Sequence, residues 1–375
     1  MFSFWEKTEL FHYDLIVLGG GITGIFCALH FKKNNPSASI AILERGLFSS
    51  GASTKNAGFA CFGSLSELIE DATELGEEKL LSIIKMRLDG LALLRETIGD
   101  HKMDLRWDGG YELFFDKSPK IFNQIDYINT LLKPFFSKNV FTINNKKIKT
   151  FGFNSARVNH LVQNPFEGQL NTGKMMRILR SNLNQKDITL FSNTELTEFE
   201  SKSEKNELLI SLKNQKFKLS CNKLAICNNA FATKTLSNLK VKPGRGLIIL
   251  TKPFSKLDIK GSFHYDRGFY YFRNIQNRIL FGGGRNLDFK KEETIEFGIN
   301  NKIRNKLIAD LDQLIIPKHE IEIDMEWSGI MAFGESKIPI IKRESNSVAV
   351  GVKSSGMGVA IGSYVGKSVA ELLLT

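Results

Sequence analysis

DLIVLGGGITGIFCALHFKKNNPSASIAILERG, residues 14–46, decides how the rest of the chain is read. An apolar run over residues 15–18 leads straight into glycines and then into a helical pattern with apolar positions at Ile25, Phe26 and Leu29. A second apolar run, Ile40–Leu43, closes on an acid, Glu44. The order is strand, tight turn, helix, strand. The glycines fall as Gly19-x-Gly21-x-x-Gly24 between strand and helix, the context that separates a dinucleotide-binding fingerprint from a chance cluster. Gly19 permits the turn, Gly21 lets a pyrophosphate approach the backbone, and Gly24 lets the helix pack close to the strand with its N-terminus toward the phosphates. Glu44, about 20 residues further on, is placed to accept hydrogen bonds from a ribose. The unit specifies an ADP-containing cofactor and is compatible with NAD, NADP or FAD.

With 375 residues the chain is long enough for two domains, and 42% hydrophobic with 24% charged residues is an ordinary globular composition. Four cysteines, Cys27, Cys61, Cys221 and Cys227, are scattered without a CxxC pair or metal spacing, which fits a reducing compartment without disulfides. The first 14 residues lack the basic, apolar and small-residue regions of a signal peptide, and the apolar run over residues 15–29 is too short and glycine-rich to span a membrane. A cytoplasmic location is therefore expected. The net charge of +11 raises a nucleic-acid partner, but the basic residues are spread out. Their short clusters, Lys146-Lys147-Ile148-Lys149 and Lys290-Lys291, are not interleaved with aromatics. A solvated basic surface is the reading taken.

After Glu44-Arg45 comes a small-residue loop, residues 49–58, that offers backbone N–H groups and hydroxyls to a phosphate or a flavin edge. Residues 64–100 have the spacing of long helices, residues 105–115 that of a strand pair turning at Asp108-Gly109-Gly110, and residues 120–136 are helical again. A helix over residues 173–183 precedes strands at 188–196, 208–212 and 223–227, the last ending in Asn228-Asn229-Ala230. A strand at 247–250 and an aromatic hairpin at 263–284, turning at Asn277 and carrying the cation Arg273, lead to an expected helix over 293–313. The chain closes with a strand at 347–352, a glycine turn and a helix to Leu374. This last unit lacks GxGxxG spacing, and Gly282-Gly283-Gly284 is followed by no helix start. One fingerprint argues against separate FAD and NAD units.

Taken together, residues 19–24, Glu44-Arg45, the 51–58 loop GASTKNAG, Tyr270-Tyr271-Phe272-Arg273 and the 351–359 turn with its helix resemble the FAD-dependent D-amino-acid-oxidase-like family, which includes glycine and sarcosine oxidases. The resemblance spans essentially the whole chain. It implies an α/β fold (α+β overall), with a Rossmann-like FAD-binding domain of three pieces, 1–75, 151–240 and 326–375. An antiparallel-sheet substrate domain, 76–150 and 241–325, would be interleaved with it. Carried over by position, Gly19, Gly20, Gly21, Ile22, Thr23 and Gly24 would hold the pyrophosphate, and Glu44 with Arg45 the adenosine half. Ser53, Thr54, Lys55, Asn56, Ala57 and Gly58 would line the diphosphate and the isoalloxazine. Leu196 would sit by the adenine, with Asn228, Ala230 and Gly329 also in contact. Gly356, Met357, Gly358 and Val359 would face the flavin's pyrimidine edge, where a helix N-terminus favours the charge that collects on reduction.

The sequence also departs from the family. The positions of covalent attachment carry Lys55 in the loop and residues 327–333, WSGIMAF, near the C-terminus, so non-covalent FAD is expected. The arginine that D-amino-acid oxidases place just after Gly329 is absent, with Ile330 and Met331 nearby, and apolar Leu280 stands where sarcosine oxidases carry a lysine over the flavin. The electron acceptor is therefore open between oxygen and another. The implied chemistry is hydride transfer from a C–N carbon of a small amine or amino acid to flavin N5, followed by hydrolysis of the imine. No general base is required if the amine binds neutral. Arg273 is the expected carboxylate anchor because a guanidinium grips both oxygens, with Arg245 second. Tyr271 and Tyr265 are expected to wall the pocket or to hydrogen-bond the carboxylate, and His264 is read as a structural histidine. Oxidation of a 2-hydroxy acid or of a nucleic-acid-linked amine, and a non-catalytic flavin protein, remain the alternatives.

Overall fold

The computed structural model describes residues 1–201, 206–212 and 215–375. The first strand, His12–Leu18, runs through an eight-stranded sheet, paired in parallel with Ile40–Leu43 on one side and Gln215–Ile226 on the other. Ile188–Phe191 extends the parallel set beyond Ile40–Leu43, and Val348–Val352 beyond Gln215–Ile226. Ile340–Ser345 closes one edge antiparallel, while Glu195–Ser201 and Asn206–Leu212 form a ribbon on the long strand Gln215–Ile226. Leu15, Ile16 and Val17 have no exposed surface, as a strand covered on both faces requires. Beneath one face lie the helices Ile22–Asn34, Thr172–Gln185 and Gly358–Leu374, joined by Leu91, Leu94 and Ile98 of the helix Glu77–Ile98. The other face packs Ile16, Leu18 and Leu43 against Phe231, Leu239, Ile330 and Ala332.

The second sheet orders its strands Ile323–Phe333, Lys242–Thr251, Arg278–Gly283, Tyr270–Ile275, Ser262–Tyr265, Gly110–Phe114, His160–Asn164 and Thr142–Ile143. Its neighbours are antiparallel except Ser262–Tyr265 with Gly110–Phe114. Successive side chains alternate between the faces. Phe263, Phe272 and Phe281 join Tyr111, Phe151 and Phe153 in an aromatic core, with Phe263 and Phe272 stacked at 4.7 Å. His264, Tyr271 and Gly282, one residue along or back, turn the other way.

Several expected elements change. Gly109 does turn the chain (φ 84°), but no hairpin forms over 105–115. Gly110–Phe114 pairs instead with His160–Asn164 and Ser262–Tyr265, and only Arg106 bridges, to Gln169. Apolar alternation identifies a strand and leaves its partner open. The run at 188–196 breaks at Asn193 (φ 54°), where the chain leaves the parallel sheet for the antiparallel ribbon. The helix expected over 293–313 begins at Asn301, capped by the Asn300 side chain, because the preceding residues are held elsewhere: Glu296 O accepts from Arg245 Nη1 at 3.4 Å and Gly298 N donates to Ser328 Oγ at 3.0 Å. His160–Asn164 and Ile323–Phe333, of which residues 160–164 and 326–333 fall within the expected FAD-binding pieces, pair into the second sheet. The aromatic N-terminus makes the short helix Phe4–Glu9; Phe2 packs edge-on against Phe11 at 4.9 Å, while Phe4 and Trp5 stay exposed. Among the described residues no helix is long and apolar enough to cross a membrane.

Two backbone approaches are equally tight, and one lies at the first turn, where a Cβ on Gly24 would stand 1.9 Å from the Gly19 carbonyl oxygen, as one on Gly283 would from that of Phe269. Gly24→Ala should therefore lower stability by about 2 kcal/mol or more. Urea unfolding measures it, and an unchanged midpoint would show that the turn can open without strain.

Candidate active site

The parallel strands end along one edge, and there a cavity of about 630 Å³ opens between that edge and the inner face of the antiparallel sheet. Carboxyl ends of parallel strands are where this architecture leaves a crevice. The first strand delivers Gly19 (φ 102°), whose N–H donates to Leu43 O at 2.9 Å. Gly20 N donates to Glu44 Oε2 at 3.0 Å, and Glu44 Oε1 accepts from Gly46 N at 2.8 Å and Ser50 Oγ at 3.0 Å. The carboxylate is thus fixed by the backbone on both sides of it while it lines the cavity. Arg45 lies beside it with its guanidinium 3.5 Å from the centre of the Phe231 ring.

The small-residue loop folds as one helical turn, Ala52–Lys55. Ser53 Oγ accepts from Ile22 N at 3.0 Å, tying the loop to the start of the first long helix. Asn56 is fully engaged: its Nδ2 donates to Ser53 O at 2.9 Å and its Oδ1 accepts from Gly58 N at 2.8 Å and Thr172 Oγ1 at 2.9 Å. Trp327 Nε1 donates to Lys55 O at 3.1 Å, joining the loop to the antiparallel sheet. On the far side, residues 354–358 bring the N-terminus of the 17-residue helix Gly358–Leu374 to the wall. Asn228 Oδ1 and Ser355 Oγ, both in the wall, are buried and have no hydrogen-bond partner among the described residues.

Of the expected cofactor residues, Gly19, Gly21, Ile22, Thr23, Glu44, Arg45, Ser53, Lys55, Asn56, Ala57, Gly58, Leu196, Asn228, Gly329, Gly356, Met357, Gly358 and Val359 line this cavity. Gly20, Gly24, Thr54 and Ala230 stand behind it.

The substrate candidates are redistributed. Arg273 is buried and absent from the wall: its Nη1 donates to Gly58 O at 3.0 Å and Leu170 O at 2.9 Å, and burial pulls its pKa down to about 10. It ties the loop to the sheet. Arg245 is clasped by Glu292, Nε to Oε2 at 2.8 Å and Nη2 to Oε1 at 3.0 Å, outside the cavity. Tyr265 donates to Asp310 Oδ2 at 2.6 Å and stacks on Tyr270 at 4.5 Å, facing away. Only Tyr271 lines the cavity. Its hydroxyl has no hydrogen bond among the described residues, and burial pushes its pKa up to about 12, so it stays a donor.

Register explains this geometry. Glu112, His264, Tyr271, Gly282 and Ile248 are lateral neighbours on adjacent strands, so they share one face. A Cβ on Gly282 would touch the Tyr271 ring at 2.6 Å, so the glycine makes room for the ring. A cation that the sequence reading passed over, Arg285, also lines the cavity, its guanidinium 3.9 Å from the centre of the Phe333 ring and without an ion pair among the described residues. Burial lowers its pKa, against the pull of Glu292 and Glu293. A Cβ on Gly246 would lie 3.9 Å from the Tyr271 hydroxyl, and one on Gly244 3.4 Å from Arg285 Cδ. The two polar groups therefore stand over one strand, two residues apart. The signal was Gly282-Gly283-Gly284-Arg285, set aside for lacking a helix start. The helix Leu65–Leu75 adds Glu67, Glu70, Asp71 and Glu74 to the wall, with Glu70 3.3 Å from Arg267 and Asp71 2.7 Å from Lys337.

A strand-turn-helix nucleotide site roofed by an antiparallel sheet defines a flavoprotein oxidoreductase class. The chain belongs to the FAD dependent oxidoreductase family, whose model matches residues 14–372. It is 23% identical to the probable oxidoreductase OrdL of Haemophilus influenzae, over 100% of this chain and 85% of that protein. It is 22% identical to the gamma-glutamylputrescine oxidoreductase of Escherichia coli, over 96% of this chain and 83% of that one. Glycine oxidase from Geobacillus kaustophilus shares the fold with a TM-score of 0.75 at 19% identity, covering 97% of this chain and 95% of that structure. The cofactor is FAD, and the residues fit it: a glycine turn, a helix N-terminus and the residues of the two orphaned polar atoms, Asn228 Oδ1 and Ser355 Oγ, line one cavity.

Arg245→Met would strand the buried Glu292 carboxylate and should cost about 3–5 kcal/mol; Arg273→Met, which removes the donor from two carbonyls, should cost about 1–3 kcal/mol. Both are read by urea unfolding. A change in substrate KM beyond about threefold in the folded Arg273→Met protein would return that residue to the site.

Proposed function

We propose that the protein oxidises the C–N bond of a small amine or amino acid, releasing an imine that water hydrolyses. The observation that carries this reading is the pair over the Lys242–Thr251 strand, a Tyr271 hydroxyl and an Arg285 guanidinium in one cavity wall, neither paired among the described residues. A partly buried cation with no ion pair among the described residues is poised for an anion, and a planar guanidinium suits a carboxylate. Tyr271 would donate to the same group, while Phe59, Ile248 and Met331 supply apolar wall that excludes water from the reacting carbon. FAD, when bound, supplies the acceptor for the hydride. Residues 354–358, at the N-terminus of the last helix, would favour negative charge at the adjoining edge of the cofactor. The names of the relatives support the substrate class, since gamma-glutamylputrescine and glycine both carry an amine.

We take FAD as non-covalently held. Of the cysteines in the wall, Cys61 is pushed well up in pKa by burial and contacts Met357 Sδ at 3.9 Å, which leaves an unreactive thiol. Acid precipitation should leave the flavin in the supernatant; colour in the pellet would overturn the assignment. We also take the interleaved division of the chain as the working domain plan, with 160–164 and 326–333 moved to the substrate side.

Anaerobic addition of amino acids, N-methyl amino acids and polyamines should bleach the oxidised flavin with at least one of them, and readmitted air tests oxygen as acceptor. If only 2-hydroxy acids bleach it, or nothing does, the reading falls. Arg285→Leu should raise KM about 10- to 100-fold for carboxylate substrates while leaving amines without a carboxylate nearly unchanged.

A further inference from the structure

His264 stands in the cavity wall beside Tyr271, its lateral neighbour on the next strand, with 6% of its surface exposed. Its ring is stacked on Phe59 at 5.2 Å and 11°, and no hydrogen bond from a described residue occupies either ring nitrogen. Nδ1 lies 4.0 Å from Glu67 Oε2. Glu67 is fixed in turn: Oε2 accepts from Ser64 N at 3.1 Å and Ser64 Oγ at 3.0 Å. A Cβ on Gly268 would come within 2.6 Å of the Glu67 carboxyl carbon, so the turn after the His264 strand closes directly over it. A buried imidazole with free nitrogens, oriented by a ring and backed by an anchored carboxylate, is more than packing requires.

We propose that His264 accepts the proton which a substrate ammonium must release before its C–H bond can give up a hydride, and that Glu67 holds the imidazolium so formed. The inference rests on the amine reading above. In the step an ammonium N–H bond breaks, the electron pair stays on the substrate nitrogen, and a new N–H bond forms on the ring; one positive charge moves from substrate to His264 and no electron changes hands. An alkylammonium with a pKa of about 10 is neutral in only about one molecule in a thousand at pH 7, so a local acceptor has much to supply. Burial lowers the pKa of His264, which leaves the ring neutral at pH 7 but a weaker base, and Glu67 opposes that shift by favouring the protonated ring. Burial would raise Glu67, but Lys337, His264, the Ser64 amide and Arg87 together hold it below the usual carboxylate value. The other charged or titratable groups facing the ring are few. Glu112 on the adjoining strand is pushed up to about 7 by burial, and Tyr271 titrates only at about 12. Glu70 is paired with Arg267, and Asp71 with Lys337.

The test follows the rate of anaerobic flavin bleaching from pH 6 to 10 in wild type, His264→Gln, His264→Asn, Glu67→Gln and Glu112→Gln. The probe is whichever of glycine, sarcosine and 1,4-diaminobutane reduces wild type fastest. A parallel titration of carbon-labelled histidine by NMR uses the same folded, flavin-loaded proteins. Both His264 variants should lose about 100-fold or more at pH 7 and recover to within about tenfold of wild type at pH 10, where the amine deprotonates unaided. Glu67→Gln removes the group that raises the His264 pKa, so both the acid limb of the rate and the His264 resonance midpoint should move to lower pH. Glu112→Gln should leave the His264 midpoint in place. A uniform loss at every pH, or no loss, in the His264 variants overturns the proton-accepting role, and an unmoved midpoint in Glu67→Gln overturns the carboxylate's part. If no amine bleaches wild type, the proposed function has failed and this inference with it; bleaching with parallel pH profiles sinks the inference alone.

Discussion

Everything at the cavity depends on one close passage of backbone, where the Gly19 carbonyl occupies the space that a side chain on residue 24 would need. The helix therefore starts in close contact with the end of the strand. The Gly51–Lys55 turn can then bond back to it through Ser53. The same edge receives Asn228 from the long strand and residues 354–358 from the last one, so pieces far apart in sequence converge without any of them spanning the cavity. The parallel sheet thereby supplies one wall, and the opposite wall comes from a sheet with its own aromatic core.

That second wall is organised by alternation. Phe263, Phe272 and Phe281 bury one face, which forces His264, Tyr271 and Gly282 to the other. Glycine in the row is as consequential as its neighbours, since any side chain at 282 would collide with the Tyr271 ring. Cations near this face divide by what meets them. Arg273 meets carbonyl oxygens and Arg245 meets Glu292, and both become structural ties. Arg285 meets the flat faces of Phe333 and Phe289, and no hydrogen bond from its guanidinium is made among the described residues.

The nucleotide half of the molecule was legible in the sequence because its signals are local: Gly19, Gly21, Gly24 and Glu44 lie within one strand-turn-helix-strand unit whose spacing fixes their geometry. The substrate half was not, because the roles of Arg273, Arg245 and Tyr265 depend on partners 47 residues away, as Glu292 is from Arg245, or 215, as Gly58 is from Arg273. Residue type announces what a side chain can grip, while the sheet register decides what it does grip. Glu67 and His264 were illegible for the same reason, since a capping residue and a strand histidine become neighbours only when the turn at Gly268 folds over the helix Leu65–Leu75. The expected helix over 293–313 failed likewise, its first turn claimed by contacts to Arg245 and Ser328.

The capping box at Ser64 and Glu67 has a consequence for how this protein can change over time. The carboxylate that closes the first turn of a helix also lies beside the ring in the cavity. Substitutions that retune the electrical environment of that ring through residue 67 must also loosen the helix end, and substitutions that firm the helix end must disturb the ring. The two traits are inherited as one. Variation in what the cavity accepts should therefore accumulate at 285, 331 and 333, where the wall has no second duty to the helix, and residue 67 should be slow to drift.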